Sequence, residues 1–302
     1  MPKYLKLLFA LFAVIFAAVS IHSCKNEKDK AGVLSEEATL YVDETVIPVI
    51  EDEKAVFESQ NTARLNLIPQ AETEILSAIQ TGKPGLLIMS RVLTDKEQRI
   101  FADKKIVPKI TQIAIDGIAL IVNKKASDSI IELQNIINFM QGKKVSAIKG
   151  LVFDNPNSST INYIKSLAGV EEVDGKNVFA LKNNNEVIKY ISENNGYIGA
   201  VGVNWITQPM PEMADYIANV RVLAVKNVKN SANPDQYYKP TQSNLGEGLY
   251  PLVRKIYMLN YEGKRGLGTS FATFAAGDIG QKIVLKSGLA PVRLELREVK
   301  VK

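Results

Sequence analysis

The chain has 302 residues, with 37 Lys and Arg against 32 Asp and Glu, and a formal net charge of +5. This weak charge is scattered along the chain, so it does not favour nucleic-acid binding. The single Cys and the single His both lie within the first 24 residues, which excludes a disulfide framework, His-based catalysis and most zinc sites from the rest of the chain.

The N-terminal segment 1–23 is predicted to be an export signal. Lys3 and Lys6 form a basic start, and residues 7–19 form an apolar stretch that is short for a membrane-spanning helix. The segment leads into Cys24 as Ile-His-Ser-Cys, which resembles the bacterial lipoprotein signal. That resemblance implies that Cys24 is lipidated and that the polar residues 24–37 form a tether. An uncleaved N-terminal anchor is the alternative.

The next part of the chain alternates between strand and helix patterns. Strands are predicted from apolar runs bounded by turn residues, and helices from apolar residues at helical spacing. The predicted strands are 38–42, 63–69 and 85–90, and the predicted helices are 46–60, 70–81 and 94–105. This alternation predicts an α/β fold with a parallel sheet and helices on its faces.

The pattern changes after residue 105. Two apolar runs between residues 105 and 125 are interrupted by Asp116-Gly117, which predicts a break. Further helices are predicted at 130–140, 158–167, 184–196 and 268–287, and further strands at 146–153, 197–205, 220–227 and 250–261. A long polar connection covers 227–248, and the C-terminal tail alternates as an edge strand does.

A run of small polar residues follows the strand that ends at Phe153. The segment reads Asp-Asn-Pro-Asn and then continues with Ser158, Ser159 and Thr160 at the start of the predicted helix. A helix N-terminus with several hydroxyl donors favours anion binding. An ordinary turn followed by an ordinary helix cap is the simpler explanation of this segment alone.

Similar polar groups follow other predicted strands. Asp43, Glu44 and Thr45 follow the first strand, and Ser90-Arg91 follows the third. Asp116 lies in the predicted break. Because ligands of open α/β sheets bind outside the carboxyl ends of the strands, these loops are predicted to converge on one site. Helix caps and a plain turn explain each of them separately.

Several of these segments together resemble the phosphate-binding component of bacterial phosphate ABC transporters, in the periplasmic-binding-protein superfamily. The matching segments are "IMSRVLTDKE", "IDGIALIVNK", "VFDNPNSST", "NNGYIGAVGVNWI", "YPLVRKIYML" and "GQKIVLKSGLAPV". The resemblance implies a two-lobed α/β fold of type II, with a mixed sheet flanked by helices in each lobe and a ligand cleft between the lobes. The predicted lobes are 38–120 with 245–302, and 121–244.

The resemblance also implies a site and its partners. The ligand is inorganic phosphate or a similar oxyanion, held by helix N-termini and hydroxyls, with charge supplied by Arg91 and the ligand proton bound by Asp116 or Asp43. No cofactor, metal ion or nucleic acid is expected. The protein is predicted to be a monomeric, lipid-anchored envelope protein that faces the periplasm and delivers its ligand to an ABC permease in the inner membrane. The candidate ligand-binding residues are Asp43, Glu44, Thr45, Ser90, Arg91, Asp116, Asn157, Ser158, Ser159 and Thr160.

The acidic loops leave the choice of ligand open. Asp43, Glu44 and Glu72 stand where relatives of this family carry Ser, Thr or Gly, and negative charge beside an oxyanion lowers affinity unless a cation offsets it. The alternative is therefore a surface sensor or interaction protein with an altered site on the same scaffold. An enzyme is the third hypothesis, and it lacks support because no carboxyl pair is shown to lie over a substrate.

Overall fold

The computed structural model describes residues 37–81, 85–146, 148–173, 176–229, 231, 234–263 and 265–293. The predicted export signal, the predicted lipidation site Cys24, nearly all of the predicted tether and the end of the C-terminal tail lie outside these residues.

Twelve strands within the described residues form two sheets. The nine-stranded sheet has the order β2-β1-β3-β12-β4-β8-β6-β7, with β9 also paired to β4, and the three-stranded sheet has the order β11-β10-β5. Strands β1, β2 and β3 are parallel, whereas β12 runs antiparallel to both β3 and β4. The strands are β1 Glu37–Asp43, β2 Arg64–Gln70, β3 Leu86–Met89, β4 Lys109–Asn123, β5 Ile130–Glu132, β6 Gly150–Phe153, β7 Val178–Ala180, β8 Tyr197–Gly202, β9 Val220–Val222, β10 Ala224–Lys226, β11 Tyr237–Tyr238 and β12 Val253–Asn260.

Helices cover the faces of the sheets, and most of them lie where apolar residues at helical spacing predict a helix. The helices are α1 Ile47–Gln60, α2 Glu72–Gln80, α3 Asp95–Asp103, α4 Leu133–Met140, α5 Ser159–Ala168, α6 Asn184–Glu193, α7 Val203–Thr207, α8 Ala214–Ala218, α9 Gln242–Gly246, α10 Leu267–Ala275 and α11 Asp278–Lys286. Short 3-10 turns at Glu44–Val46 and Pro211–Met213 precede α1 and α8. Within the described residues, no helix has both the length and the apolar character needed to cross a bilayer.

Two predicted helices differ from the structure. The helix predicted at 130–140 begins with strand β5, because Ile130–Glu132 pairs in parallel with β10. The helix predicted at 268–287 is two helices, α10 and α11, separated at Gly277. At their junction the Cα of Gly280 lies so close to α10 that a Cβ there would meet the Ala275 carbonyl oxygen at 2.4 Å. Two closely packed helices, α10 and α11, therefore stand where the sequence predicts one continuous helix.

The predicted break at Asp116-Gly117 is wrong, because both residues lie inside the continuous 15-residue strand β4. The first part of β4, as far as Gly117, pairs with β12, and the part from Ile118 onward pairs with β8 and then β9. Gly117 is closely packed, since a Cβ there would lie 2.6 Å from the end of the Leu245 side chain of α9, which would have to move. Strand β4 therefore joins both parts of the nine-stranded sheet.

The hydrophobic core contains one cluster that extends over both parts of the sheet and a second that lies mainly in one part. One cluster packs α1 and α10 against β1 and β3, and it includes Leu40, Ile50 and Phe271. A second cluster packs α4 and α5 against β6 and β8, and it includes Phe153 and Ile164. The first cluster also includes Val187 of α6 and Val201 of β8, so the apolar core on that side is continuous over both parts of the sheet.

Candidate functional site

Eight buried polar side chains meet between the two halves of the sheet. We call them the cleft cluster, and each of them is at most 2% exposed. They come from the carboxyl ends of β1 and β6, from the start of α5, and from one end of the β4–β12 ladder. The members of the cleft cluster are Asp43, Thr45, Asp116, Asp154, Ser158, Ser159, Thr160 and Arg254.

Arg254 and Asp116 form the charged centre of the cleft cluster. They are paired residues in the antiparallel β4–β12 ladder, and Arg254 Nη2 lies 2.5 Å from Asp116 Oδ2. Both side chains are fully buried. Burial raises the pKa of Asp116, although the neighbouring guanidinium opposes that rise. The pair is therefore a buried cation held by one carboxylate, with the rest of the guanidinium directed at α5.

Hydroxyl groups from the two halves of the fold meet beside this pair. Arg254 Nη1 donates to Ser159 Oγ at 2.9 Å and lies 3.5 Å from Thr160 Oγ1. Ser159 Oγ in turn lies 3.1 Å from Thr45 Oγ1, and Thr45 donates both its hydroxyl and its N–H to Asp43 Oδ1. Trp205 Nε1 donates to the Thr45 carbonyl at 2.8 Å, which makes a second contact between the halves.

The start of α5 is organised by Asp154, which follows β6 directly. Ser158 caps the helix by accepting from the Ile161 N–H, and its hydroxyl donates to Asp154 Oδ1 at 2.6 Å. Asn184 donates to the other oxygen of Asp154 at 3.1 Å. Burial raises the pKa of Asp154 to about 6. The first N–H groups of α5, including those of Ser159 and Thr160, have no partner within the helix, so this helix N-terminus favours a nearby anion.

Several polar atoms of the cleft cluster lack partners among the described residues. They are Asp43 Oδ2, Asp116 Oδ1 and Arg254 Nε, all fully buried. A buried polar atom without a hydrogen bond costs about 1–3 kcal/mol, so such atoms mark a place where a ligand gains affinity by pairing them. The set offers one cationic donor and two carboxylate acceptors, which suits an oxyanion that carries a proton.

Glu44 lies at the edge of the cleft cluster and faces other acids. One of its oxygens, Oε1, is buried and has no partner among the described residues. Burial, followed by the charges of Asp154, Asp43 and Glu74, raises the pKa of Glu44 to about 7, and a hydrogen bond from the Asn155 side chain partly opposes this. Glu44 therefore contacts the second half of the fold through Asn155 and lies close to Asp154, and no cation is among the groups that shift its pKa.

The structure separates three predicted site residues from the cleft cluster. Arg91 uses all of its donors on Glu72, Glu97 and the Val92 carbonyl. Arg91 therefore has no donor free for a ligand, and the cation in the cleft is Arg254. Ser90 is half-buried next to Arg91, outside the hydrogen-bonded cluster.

Asn157 is exposed, and it is the third predicted residue outside the cluster. Its carbonyl accepts from the Thr73 N–H and hydroxyl, both at 3.3 Å, so it joins the rims of the two halves. Glu72 is buried, and its pKa is raised by burial against the opposing charge of Arg91. The acidic residue Glu72 is thus neutralised away from the cleft cluster.

Arg254 is a member of the cluster that sequence reasoning missed. The segment "YPLVRKIYML" carries part of the family resemblance, but no role is predicted for the Arg254 within it. A signal was present, because Leu252, Arg254 and Ile256 alternate along the strand and occupy its buried side. A cation on the apolar face of a strand requires a buried partner, and Asp116 is that partner.

Other features do not supply a competing site. Cavities of about 580 and 500 Å³ lie away from the cleft cluster, one near Lys109 and Arg293 and the other near Glu132 and Lys149. Within the described residues, no group of three or more His, Cys, Asp or Glu is placed to hold a metal ion.

Comparisons with known proteins agree with this architecture. A family model described as PBP superfamily domain matches residues 34–278. A phosphate ABC transporter substrate-binding protein of Clostridium perfringens, solved with bound phosphate, is 20% identical with a TM-score of 0.67, over 85% of this chain and 100% of that chain. An ABC-type phosphate transport receptor of Vibrio cholerae is 16% identical with a TM-score of 0.63, over 84% and 99%. PstS of Borrelia burgdorferi is 18% identical with a TM-score of 0.52, over 85% and 99%. A search of curated proteins gave no match.

Proposed function

This chain belongs to the PBP superfamily and has its two-lobed α/β fold, and on that premise we propose that it is a substrate-binding protein for inorganic phosphate or a similar oxyanion. The observation that carries the proposal is the buried guanidinium of Arg254, which donates to Ser159 and lies beside Thr160, while Thr45 from the other half bonds to Ser159. A buried cation with hydroxyl donors around it binds an oxyanion strongly, because the charge is unscreened by water. Two similar solved structures are described as phosphate-transport proteins.

The unpaired carboxylate oxygens give a reason for selectivity. Inorganic phosphate keeps at least one proton near neutral pH, because it has one more ionisable proton than a phosphoester, whose last proton is lost with a pKa of roughly 6. Asp43 Oδ2 and Asp116 Oδ1 are buried acceptors without partners among the described residues. Either oxygen accepts a hydrogen bond from the protonated oxygen of phosphate. Sulfate has no proton to donate, so it leaves the acceptor unpaired and binds more weakly.

The rest of the proposal concerns location and delivery. Residues 1–23 direct export, Cys24 carries a lipid, and residues 24–37 connect it to lobes formed by 38–120 with 245–302 and by 121–244. The lobes close on the ligand by a hinge motion, and the closed protein delivers it to a membrane permease. The proposal assigns the protein no catalytic step.

A second function is favoured by one observation. Three carboxyl groups, those of Asp43, Asp116 and Asp154, lie close to the guanidinium of Arg254. An oxyanion adds further negative charge to this group, which lowers its affinity. A ligand sensor or interaction protein with a different ligand on the same scaffold is therefore the alternative.

Calorimetric titration with phosphate and then with sulfate separates the two functions. The purified protein, stripped of ligand, is expected to bind phosphate at least about tenfold more tightly than sulfate. Ser159→Ala removes a hydroxyl of the cleft cluster and is expected to weaken phosphate binding, while Ser166→Ala, on the exposed side of α5, leaves it unchanged. The absence of heat with both anions over a broad concentration range refutes the transport receptor.

A further inference from the structure

Glu44 reaches across the cleft toward the opposite half of the fold. It lies in the 3-10 turn after β1, and it accepts a hydrogen bond from the side chain of Asn155, which follows β6. Its Oε1 atom is buried without a partner among the described residues. The charged groups that face it are Asp154 from the opposite half, Asp43 from its own turn, and Glu74 from α2, and all three are acidic.

Arg254 and Arg91 are both already paired with other groups. Arg254 holds Asp116 at 2.5 Å and donates to Ser159. Arg91 is saturated by acidic and carbonyl oxygens on the other side of the turn. Bringing the halves together therefore places the Glu44 carboxyl against Asp154 without a compensating charge. The repulsion disappears when one of the two carboxyls is protonated.

We propose that Glu44 is a positioning residue that makes closure of the two lobes, and therefore oxyanion binding, depend on uptake of a proton. The inference rests on the proposed function for its ligand. Glu44 does not contact the ligand in this proposal. It acts on the distance between the two lobes. The protonated Glu44 carboxyl lies next to Asp154 without repulsion, whereas the ionised carboxyl is repelled by Asp154 and favours the open form.

The direction of the pH dependence follows from the environment of Glu44. In an open cleft the side chain faces water and has the ordinary pKa of a glutamate. In the closed form, burial and then the charge of Asp154 raise the pKa of Glu44 to about 7 from 4.5. A group whose pKa is raised in the closed form favours closure fully below 4.5, and this contribution is lost as the pH rises through about 7.

The difference in the pKa of Glu44 between the open and closed forms also sets the size of the expected change in phosphate affinity. Each unit of pKa difference corresponds to a factor of ten in the closing equilibrium, and partial exposure of the carboxyl reduces this by solvent screening. Relative to Glu44→Gln, the wild-type affinity for inorganic phosphate is expected to fall by about tenfold between pH 5.5 and pH 8. The comparison with the variant cancels the titration of phosphate itself.

The experiment measures phosphate affinity from pH 5.5 to pH 8 for the wild type, Glu44→Gln and Glu51→Gln. Glu51 is exposed on α1 and serves as the matched control, with a profile expected to follow the wild type. Calorimetry in buffers of different ionisation enthalpy counts the protons taken up by the wild type, so one readout requires no variant. The only Trp of the chain, Trp205, donates to Thr45 across the cleft, and its fluorescence reports closure without ligand.

The outcomes separate this inference from the proposed function. A profile that is steeper for the wild type than for Glu44→Gln, with net proton uptake, supports the inference. Phosphate binding with the same pH profile in both proteins overturns it and leaves the proposed function intact. If no protein binds phosphate, the proposed function fails and the ligand-free Trp205 signal decides alone. A pH-dependent signal lost in Glu44→Gln then supports proton-coupled closure, and equal signals in both proteins overturn it.

Discussion

Replacing Arg254 by glutamine is the most direct test of the charged centre of the cleft. The substitution removes the cation and leaves Asp116 buried, with both oxygens short of donors. Removing one partner of a buried ion pair costs about 3–5 kcal/mol, because the remaining charge has no compensation. The pKa of Asp116, already raised by burial, rises further in the variant, so the carboxyl becomes neutral at moderately low pH. The loss of stability is therefore expected to be largest near pH 8 and smaller near pH 5.

The assay combines denaturant unfolding with phosphate titration. Arg254→Gln is expected to lower the free energy of unfolding by about 3 kcal/mol at pH 8, and the double variant Arg254→Gln with Asp116→Asn is expected to recover most of that loss. Phosphate affinity is expected to fall about a hundredfold in both variants, since a charge-assisted hydrogen bond contributes about 1.5–3 kcal/mol.

Arg91→Gln is the matched control, because Arg91 is a second arginine near the cleft whose donors are bound by acids. Its effect on phosphate affinity is expected to stay within about threefold, well below one charge-assisted hydrogen bond. A larger loss of phosphate affinity in Arg91→Gln than in Arg254→Gln refutes the assignment of Arg254 as the binding cation. Unchanged stability of Arg254→Gln at pH 8 refutes the buried pair itself.

Three further predictions concern the scaffold and the closed form. Trp205→Phe removes the hydrogen bond to the Thr45 carbonyl, and phosphate affinity is expected to fall about fivefold, since such a bond contributes about 1 kcal/mol; equal affinities contradict this. Gly280→Ala is expected to cost about 1–3 kcal/mol of unfolding free energy, because a Cβ meets the Ala275 backbone at 2.4 Å; a variant as stable as the wild type shows that α10 and α11 separate at low cost. Glu53 is buried in α1 without partners among the described residues, and burial raises its pKa to about 8. The contribution of the protonated carboxyl to the free energy of unfolding is therefore lost as the pH rises from 4.5 through 8. Glu53→Met is therefore expected to raise the unfolding free energy by about 1–3 kcal/mol, more at pH 8 than at pH 5, and equal gains at both pH values contradict the burial argument.

The local parts of the fold were predictable from the sequence. The helix around residues 47–60 and the strand that ends at Asp43 follow from periodicity within one element, and the structure confirms both. The hydroxyl run at residues 158–160 was placed correctly at the start of α5, because capping chemistry acts over three or four residues. The predicted two-lobed α/β fold is confirmed by the family match together with the strand order.

The parts that the sequence did not predict depend on distant partners. Asp116-Gly117 has the composition of a turn, but Asp116 is stabilised inside β4 by Arg254, which lies 138 positions further along the chain. The Thr45 and Ser159 hydroxyls meet across 114 positions. Arg91 was predicted to supply the charge, and its saturation by Glu72 and Glu97 depends on how α2 and α3 pack beside it. No local spacing encodes these pairings.

Strand β4 limits how the two lobes of the proposed receptor move relative to each other. Because one continuous strand belongs to both halves of the sheet, opening requires torsion along β4 and not free rotation about a linker. We therefore expect the open ensemble to be narrow, with motion mainly about a single axis near residues 117 and 118. A narrow open ensemble loses little entropy on closing, so more of the interaction energy with the ligand remains as affinity. Asp116 lies beside that axis, where a small change of twist reorients the Arg254 pair.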